Sequence, residues 1–353
     1  MEQHGTLPAY DDHIGLWNNR LRDAIPERIF DGHVHLARLS DLTRPVSPER
    51  RKSPLLTFTS LPREKWRAYC ESLFSGKDLA GAFVFPLPVR EADYRGANRY
   101  ILETIRADAR LKGFLWTHQY RPGDVRLLYD ESVRAGTPFF GIKPYFDVTG
   151  KNNFDCELSD TLPAWLADFA HREGLAILLH TTGRGVVCPK LREDLARLCD
   201  ARPGLRLVLA HMGRHICFDD FAAFMESELP FRPEIWMETS SSTLPEIYEL
   251  YLSHESLRKR LIFGSDLPFG LITGVEEWSE TGGALFRTRD RYPWSEPRLC
   301  GHGGITYNAY HTIDAILQGV ARLRFAAAEE KKLLRDIFLD NALRFIQGKE
   351  PSS

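Results

Sequence analysis

Arg28-Ile29-Phe30-Asp31-Gly32-His33-Val34-His35-Leu36 is a short apolar run that ends in two histidines one residue apart. Its composition suits a strand buried on both faces. Seven further runs of the same kind follow, at Gly81–Leu87, Lys112–Thr117, Phe139–Tyr145, Leu175–His180, Leu205–His211, Glu234–Thr239 and Arg260–Asp266. Between them, Glu64–Phe74, Tyr94–Ala109, Asp124–Ala135, Leu162–Arg172, Leu191–Cys199, Phe218–Glu228 and Pro245–Arg258 repeat apolar residues every three or four positions, as helices do. Glu329–Ile346 carries one more such stripe. Eight β–α repeats close most naturally into an α/β fold of the (β/α)8 TIM barrel type. A doubly wound open sheet would place a Gly-rich phosphate loop after the first strand, and Asp31-Gly32-His33 is not one. The expectation is therefore a single barrel domain over residues 1–353. It carries an N-terminal arm (1–27) and long βα loops after strands one (37–62) and eight (267–310), overhanging one mouth as lids.

Composition narrows the function classes. The chain has 353 residues, 43% of them hydrophobic, and 46 Lys+Arg stand against 48 Asp+Glu. This balance lacks the basic excess of a nucleic-acid surface. No apolar run approaches the ~20 residues that cross a bilayer. Met1–Arg20 is polar and acidic, unlike a secretory leader. Six cysteines without a Cys-x-x-Cys pair read as thiols of a reducing compartment. A cytoplasmic protein acting on a small molecule is expected, with homo-oligomerisation left open.

Active sites of such barrels lie at the C-terminal ends of the strands. Strand one ends at His33 and His35, strand three at His118, strand four at Lys143, strand five at His180, strand six at His211 and strand eight at Asp266. Chance would put roughly one of the twelve histidines in such windows, and five are there. Residues i and i+2 of a strand share a face, so His33 and His35 aim into the same mouth. A divalent ion such as Zn²⁺ takes imidazole nitrogens and a carboxylate and leaves a position open for water. His180 and Asp266 complete such a set, with His211 and Lys143 on its rim.

These motifs, together with Asp340-Asn341-Ala342-Leu343-Arg344-Phe345, resemble the amidohydrolase superfamily over about Arg28–Ile346. The similarity is to its amidohydrolase-related branch, which includes hydrolases and the aminocarboxymuconate-semialdehyde decarboxylase type. The resemblance implies that His33, His35, His180 and Asp266 bind one metal ion, with Asp266 also acting as base. It makes His211 the residue that polarises the substrate or moves its proton. Lys143 is open: carboxylated, it would bridge two metals; otherwise it is a substrate or structural lysine. One metal, Zn²⁺, is the expectation. The implied activity is hydrolysis of an amide, ester or lactone by activated water. The alternative is decarboxylation of an unsaturated or aromatic carboxylate, and a non-catalytic barrel is a third reading that the intact ligand set disfavours. His118, His215, His302 and His311 match no ligand position, although the last two flank the long loop and stand within reach of substrate. Glu238 reads as a carboxylate behind the site or at the core rim. Arg184, Arg214 and Arg50-Arg51-Lys52 lie on mouth loops, where Arg grips carboxylates.

Overall fold

The computed structural model describes residues 11–215, 217–279 and 283–348. Eight parallel strands follow in sequence order around one sheet: β1 (Arg28–Leu36), β2 (Asp78–Pro86), β3 (Leu111–Thr117), β4 (Gly141–Pro144), β5 (Ala176–Leu179), β6 (Leu207–Leu209), β7 (Ile235–Glu238) and β8 (Leu261–Ile262). The chain closes on itself where Gly32 N–H donates to Phe263 O and His35 N–H to Leu267 O, each at 2.7 Å, with a parallel bridge from Val34 to Leu267. A Cβ on Gly32 would lie 2.7 Å from Phe263 O and from the Ile262 side chain, so closure needs the glycine there. Asp31 fastens the same seam, accepting from Ser265 N–H (2.8 Å), Ser265 Oγ–H (2.5 Å) and His33 N–H (3.1 Å). The (β/α)8 barrel expected from the repeats is the observed architecture.

The barrel is packed rather than hollow. Phe30, Phe83, Phe85, Phe114, Leu178, Val208, Trp236 and Ile262 fill its interior and are buried. Its lower end is plugged by the last helical segment, whose Phe345 ring lies 4.9 Å from Trp236 and 6.0 Å from Phe83. That segment reads in sequence as one helix and is one, running without a break over 327–346 with a π-helical stretch at Asp336–Asp340. Because the interior below is full, only the mouth can hold chemistry. No helix among the described residues is long and apolar enough to cross a membrane.

The two long loops differ from plain lids. The stretch after β8 carries an antiparallel hairpin, Gly274–Ser279 with Gly283–Thr288. A helix the sequence reading leaves unassigned, Asn308–Arg322, then packs Ala309, Ile313, Ile316 and Val320 inward at helical spacing. The loop after β1 is pinned by Arg50, which donates to Glu91 at 2.7 and 2.9 Å and to Asp147 at 2.7 Å. Trp294 Nε1–H donates to Thr57 Oγ1 at 2.7 Å and joins the two loops. On the arm, Trp17 stacks on Tyr310 of the Asn308–Arg322 helix at 5.5 Å.

Candidate metal centre

His33 and His35 leave β1 on one side, against Phe85, at centroid distances of 5.0 and 4.6 Å. Each ring is held through Nδ1. His33 Nδ1 meets Glu238 Oε2 at 2.8 Å, and His35 Nδ1 meets the carbonyl of Pro86 at 3.1 Å. A carbonyl only accepts, so His35 carries its hydrogen on Nδ1 and presents a bare Nε2. Both Nε2 atoms turn to Asp266 Oδ1, at 3.4 and 3.3 Å. Burial, with Lys143 close by, holds His33 well below the ordinary imidazole range, and burial lowers His35. Both are thus neutral, and Asp266 Oδ1 finds no hydrogen-bond donor among the described residues.

Lone pairs of two imidazoles and one carboxylate converging on a buried spot repel unless a cation lies among them. The donor set of two nitrogens and one oxygen suits a divalent ion of zinc type. The Glu238–His33 contact is the arrangement by which a carboxylate orients and strengthens an imidazole ligand. The residues fit a metal.

The backbone that delivers these groups is strained. Asp266 has φ +56° and Ser241 φ +59°, while His211, Met212 and Arg214 share the left-handed region. Such geometry in non-glycine residues gathers where function over-determines the fold. Ser241 Oγ–H donates to Asp266 Oδ2 at 3.2 Å, leaving Oδ1 for the centre.

The remaining residues singled out in the sequence fall into two groups. His211 stands beside His33 (5.0 Å between rings), with Nδ1 engaged by Ser240 and burial lowering its pKa to about 4. Lys143 is fully buried, its Nζ 3.3 Å from His33 Nε2 and 4.6 Å from the Phe85 ring centre. Burial lowers its pKa against the pull of Asp266 and Glu238. His180 lies one ring further out, 5.2 Å from His211 and 5.0 Å from Tyr145, with a buried Nδ1 that has no hydrogen-bond partner among the described residues. It does not join the converging set, which among the described residues is His33, His35 and Asp266, with His33, His211 and Glu238 as an overlapping group. His118, His215, His302 and His311 join neither group; His311 Nε2 accepts from Thr306 N–H at 3.1 Å.

Arg50 is occupied by Glu91 and Asp147, so it is a loop fastener and not a substrate clamp. Arg51, Lys52 and Arg184 are exposed. Arg214 differs: its guanidinium donates to the carbonyls of Thr181 (2.8 Å) and Gly183 (3.3 Å), and no carboxylate among the described residues forms a salt bridge with it. Glu238, left ambiguous in the sequence, proves to touch His33 directly.

A barrel with imidazoles and a carboxylate at its strand ends defines a class of metal-centred enzyme. Residues 30–347 match the amidohydrolase family profile, and the chain belongs to that family. No curated protein matches the sequence. Solved structures share the fold at low identity. An amidohydrolase 2 from Bifidobacterium longum subsp. infantis is 15% identical with a TM-score of 0.51, covering 91% of this chain and 99% of its own. A 4-oxalomesaconate hydratase from Rhodopseudomonas palustris has the same identity and TM-score, with coverages of 91% and 96%. A 2,6-dihydroxybenzoate decarboxylase from Rhizobium is 15% identical with a TM-score of 0.52, covering 91% and 99%. The family and these neighbours are enzymes, and they span more than one reaction.

Proposed function

We propose that the protein is a metal-dependent hydrolase that adds water to an amide, ester or lactone bond of a small molecule. The observation that carries this reading is the convergence of His33 Nε2, His35 Nε2 and Asp266 Oδ1 at the barrel mouth. His33, His35 and Asp266 would hold the ion, with His180 drawn in as fourth ligand. A divalent ion bound there lowers the pKa of a water molecule from 15.7 toward about 7 and polarises a carbonyl. Asp266 would take the proton of the attacking water on Oδ2, the oxygen that Ser241 steadies, and return it to the leaving group. His211, beside the centre, faces the bound molecule and moves or shares its proton. The packed aromatic floor of the barrel keeps bulk water out from below.

Decarboxylation of a carboxylate substrate is the second reading, favoured by Arg214. Its guanidinium, near His180 and His211, feels the charge of Glu276 but forms no salt bridge among the described residues, and a substrate carboxylate would supply one.

Metal analysis of protein purified without chelator is expected to give about one zinc-like ion per chain. The double variant His33→Ala, His35→Ala is expected to lose it while keeping a native circular dichroism spectrum. Metal retained by that variant refutes the ligand assignment. A panel of amides, esters, lactones and aromatic carboxylates, read for both water addition and carbon dioxide release, then separates the two reactions. Asp266→Asn at saturating metal is expected to keep part of its ion and lose turnover by about 10²–10⁴-fold. Near-wild-type turnover in that variant rules out the base.

A further inference from the structure

Glu238 ends β7 fully buried, and three donors and one imidazole nitrogen converge on its carboxylate. Ser240 N–H meets Oε1, while Oε2 receives Ser240 Oγ–H at 2.8 Å and the His211 backbone N–H at 3.4 Å and lies 2.8 Å from His33 Nδ1. Gly264 leaves room for it: a Cβ there would fall 2.1 Å from Oε1. Burial pushes the Glu238 carboxyl up, but three fixed donors on its two oxygens hold it as the carboxylate, which donates no hydrogen, so His33 carries its own on Nδ1. Ser240 has a single hydroxyl hydrogen, spent on Oε2. Its Oγ therefore accepts from His211 Nδ1 at 2.8 Å, and its carbonyl oxygen, 3.1 Å from the same nitrogen, can only accept. Hydrogen counting leaves His211 with Nδ1 protonated and Nε2 bare.

We propose that Glu238 and Ser240 form one positioning unit that locks both imidazoles in the Nδ1–H form. His33 thereby turns a lone pair to the cation, and His211 begins the reaction as a proton acceptor toward the bound molecule. The unit joins a ligand on β1 to the acid–base residue just past β6 through the end of β7. The functional meaning of these lone pairs rests on the metal-centre reading above; the tautomers themselves do not.

The test uses ¹⁵N-labelled full-length protein, metal-free and then titrated with Zn²⁺, with ring nitrogens assigned by His33→Gln and His211→Gln. In the wild type, long-range ¹H–¹⁵N spectra are expected to show Nδ1–H at both residues. In Glu238→Gln the amide oxygen stays with Ser240 N–H, which puts the NH₂ group opposite His33 Nδ1. His33 must then shift its hydrogen to Nε2, where it points at the ion. The expected result is a reversed His33 tautomer and Zn²⁺ affinity lower by about 10–100-fold. Ser240→Ala is expected to leave His33 in the Nδ1–H form. An Nε2–H form at His211 in the wild type overturns the proposal, as does a Glu238→Gln variant with unchanged tautomer and affinity. If Glu238→Gln does not fold, the wild-type and Ser240→Ala spectra decide. If wild-type protein takes up no Zn²⁺, the metal-centre reading fails while the tautomers still judge the positioning unit.

Discussion

Lys143 is a buried amine with no salt-bridge partner among the described residues, lying between the Phe85 ring and His33 Nε2. A carboxylated lysine would serve two ions; a plain one needs only volume and a neutral neighbour. Lys143→Met keeps the volume and removes the nitrogen. We expect elemental analysis of this variant to show one ion per chain, unchanged from wild type, with melting temperature equal or higher, since replacing a buried charge-bearing group by an apolar one is often neutral or stabilising. A fall from two ions to one would mark a bridging role. At this scale the sequence was legible where chemistry follows local geometry. The one-residue spacing of His33 and His35 puts them on one face, and they are on one face. It was opaque where a role depends on a distant partner. Glu238 meets His33 across 205 positions, and Arg50 meets Asp147 across 97. Nothing local tells a fastened arginine from a free one.

Elements were legible through periodicity. All eight strands appear in or around the apolar runs, because a strand buried on both faces leaves an unbroken apolar signature. The hairpin after β8 reads as loop in the sequence, since an overhanging pair of strands does not need that signature. Where helices meet strands, charge adds its own contribution. Asp108, just past the helix Tyr94–Ala107, accepts from Arg110 (3.0 and 2.9 Å) and from Arg67 of the helix Arg63–Leu73 (2.6 Å). The hydrogen bonds of Arg110, then that of Arg67, outweigh partial burial and lower its pKa from 3.8 to about 2. The folded state therefore binds this proton less readily than the unfolded chain. The stability Asp108 contributes is complete above about pH 4 and is lost as the pH falls through about 2. Asp108→Asn is expected to lower the urea midpoint at pH 5, with the gap to wild type closing by pH 2–3. Both arginines are largely exposed, so the effect stays under about 1 kcal/mol. A gap that is constant with pH would remove the ion-pair account.

On the scale of the whole molecule, strain and stability are separated along the barrel axis. Apart from Arg324 between two outer helices, the described non-glycine residues with positive φ, His211, Met212, Arg214, Ser241 and Asp266, lie at the mouth, while the interior below is close-packed aromatic and aliphatic carbon. A bound ion would stabilise the strained end by mass action, by about 2.7 kcal/mol at a hundredfold excess over Kd. Chelation is therefore expected to lower the melting temperature by several degrees. It should also raise amide exchange in 211–215 and 239–243 first, with the strand amides of β2 and β3 unaffected. Uniform exchange changes throughout the barrel would contradict that division.

The plug at the lower end has a consequence in time. Ile262 closes the strand set, but Phe345, which seals the interior from below, lies 83 positions later. At about 5–20 residues per second, a ribosome needs roughly 4–17 s to cover that distance. Through that interval a nascent barrel with every strand already synthesised holds its phenylalanine floor open to water, offering chaperones a target before the last turn of helix shuts it.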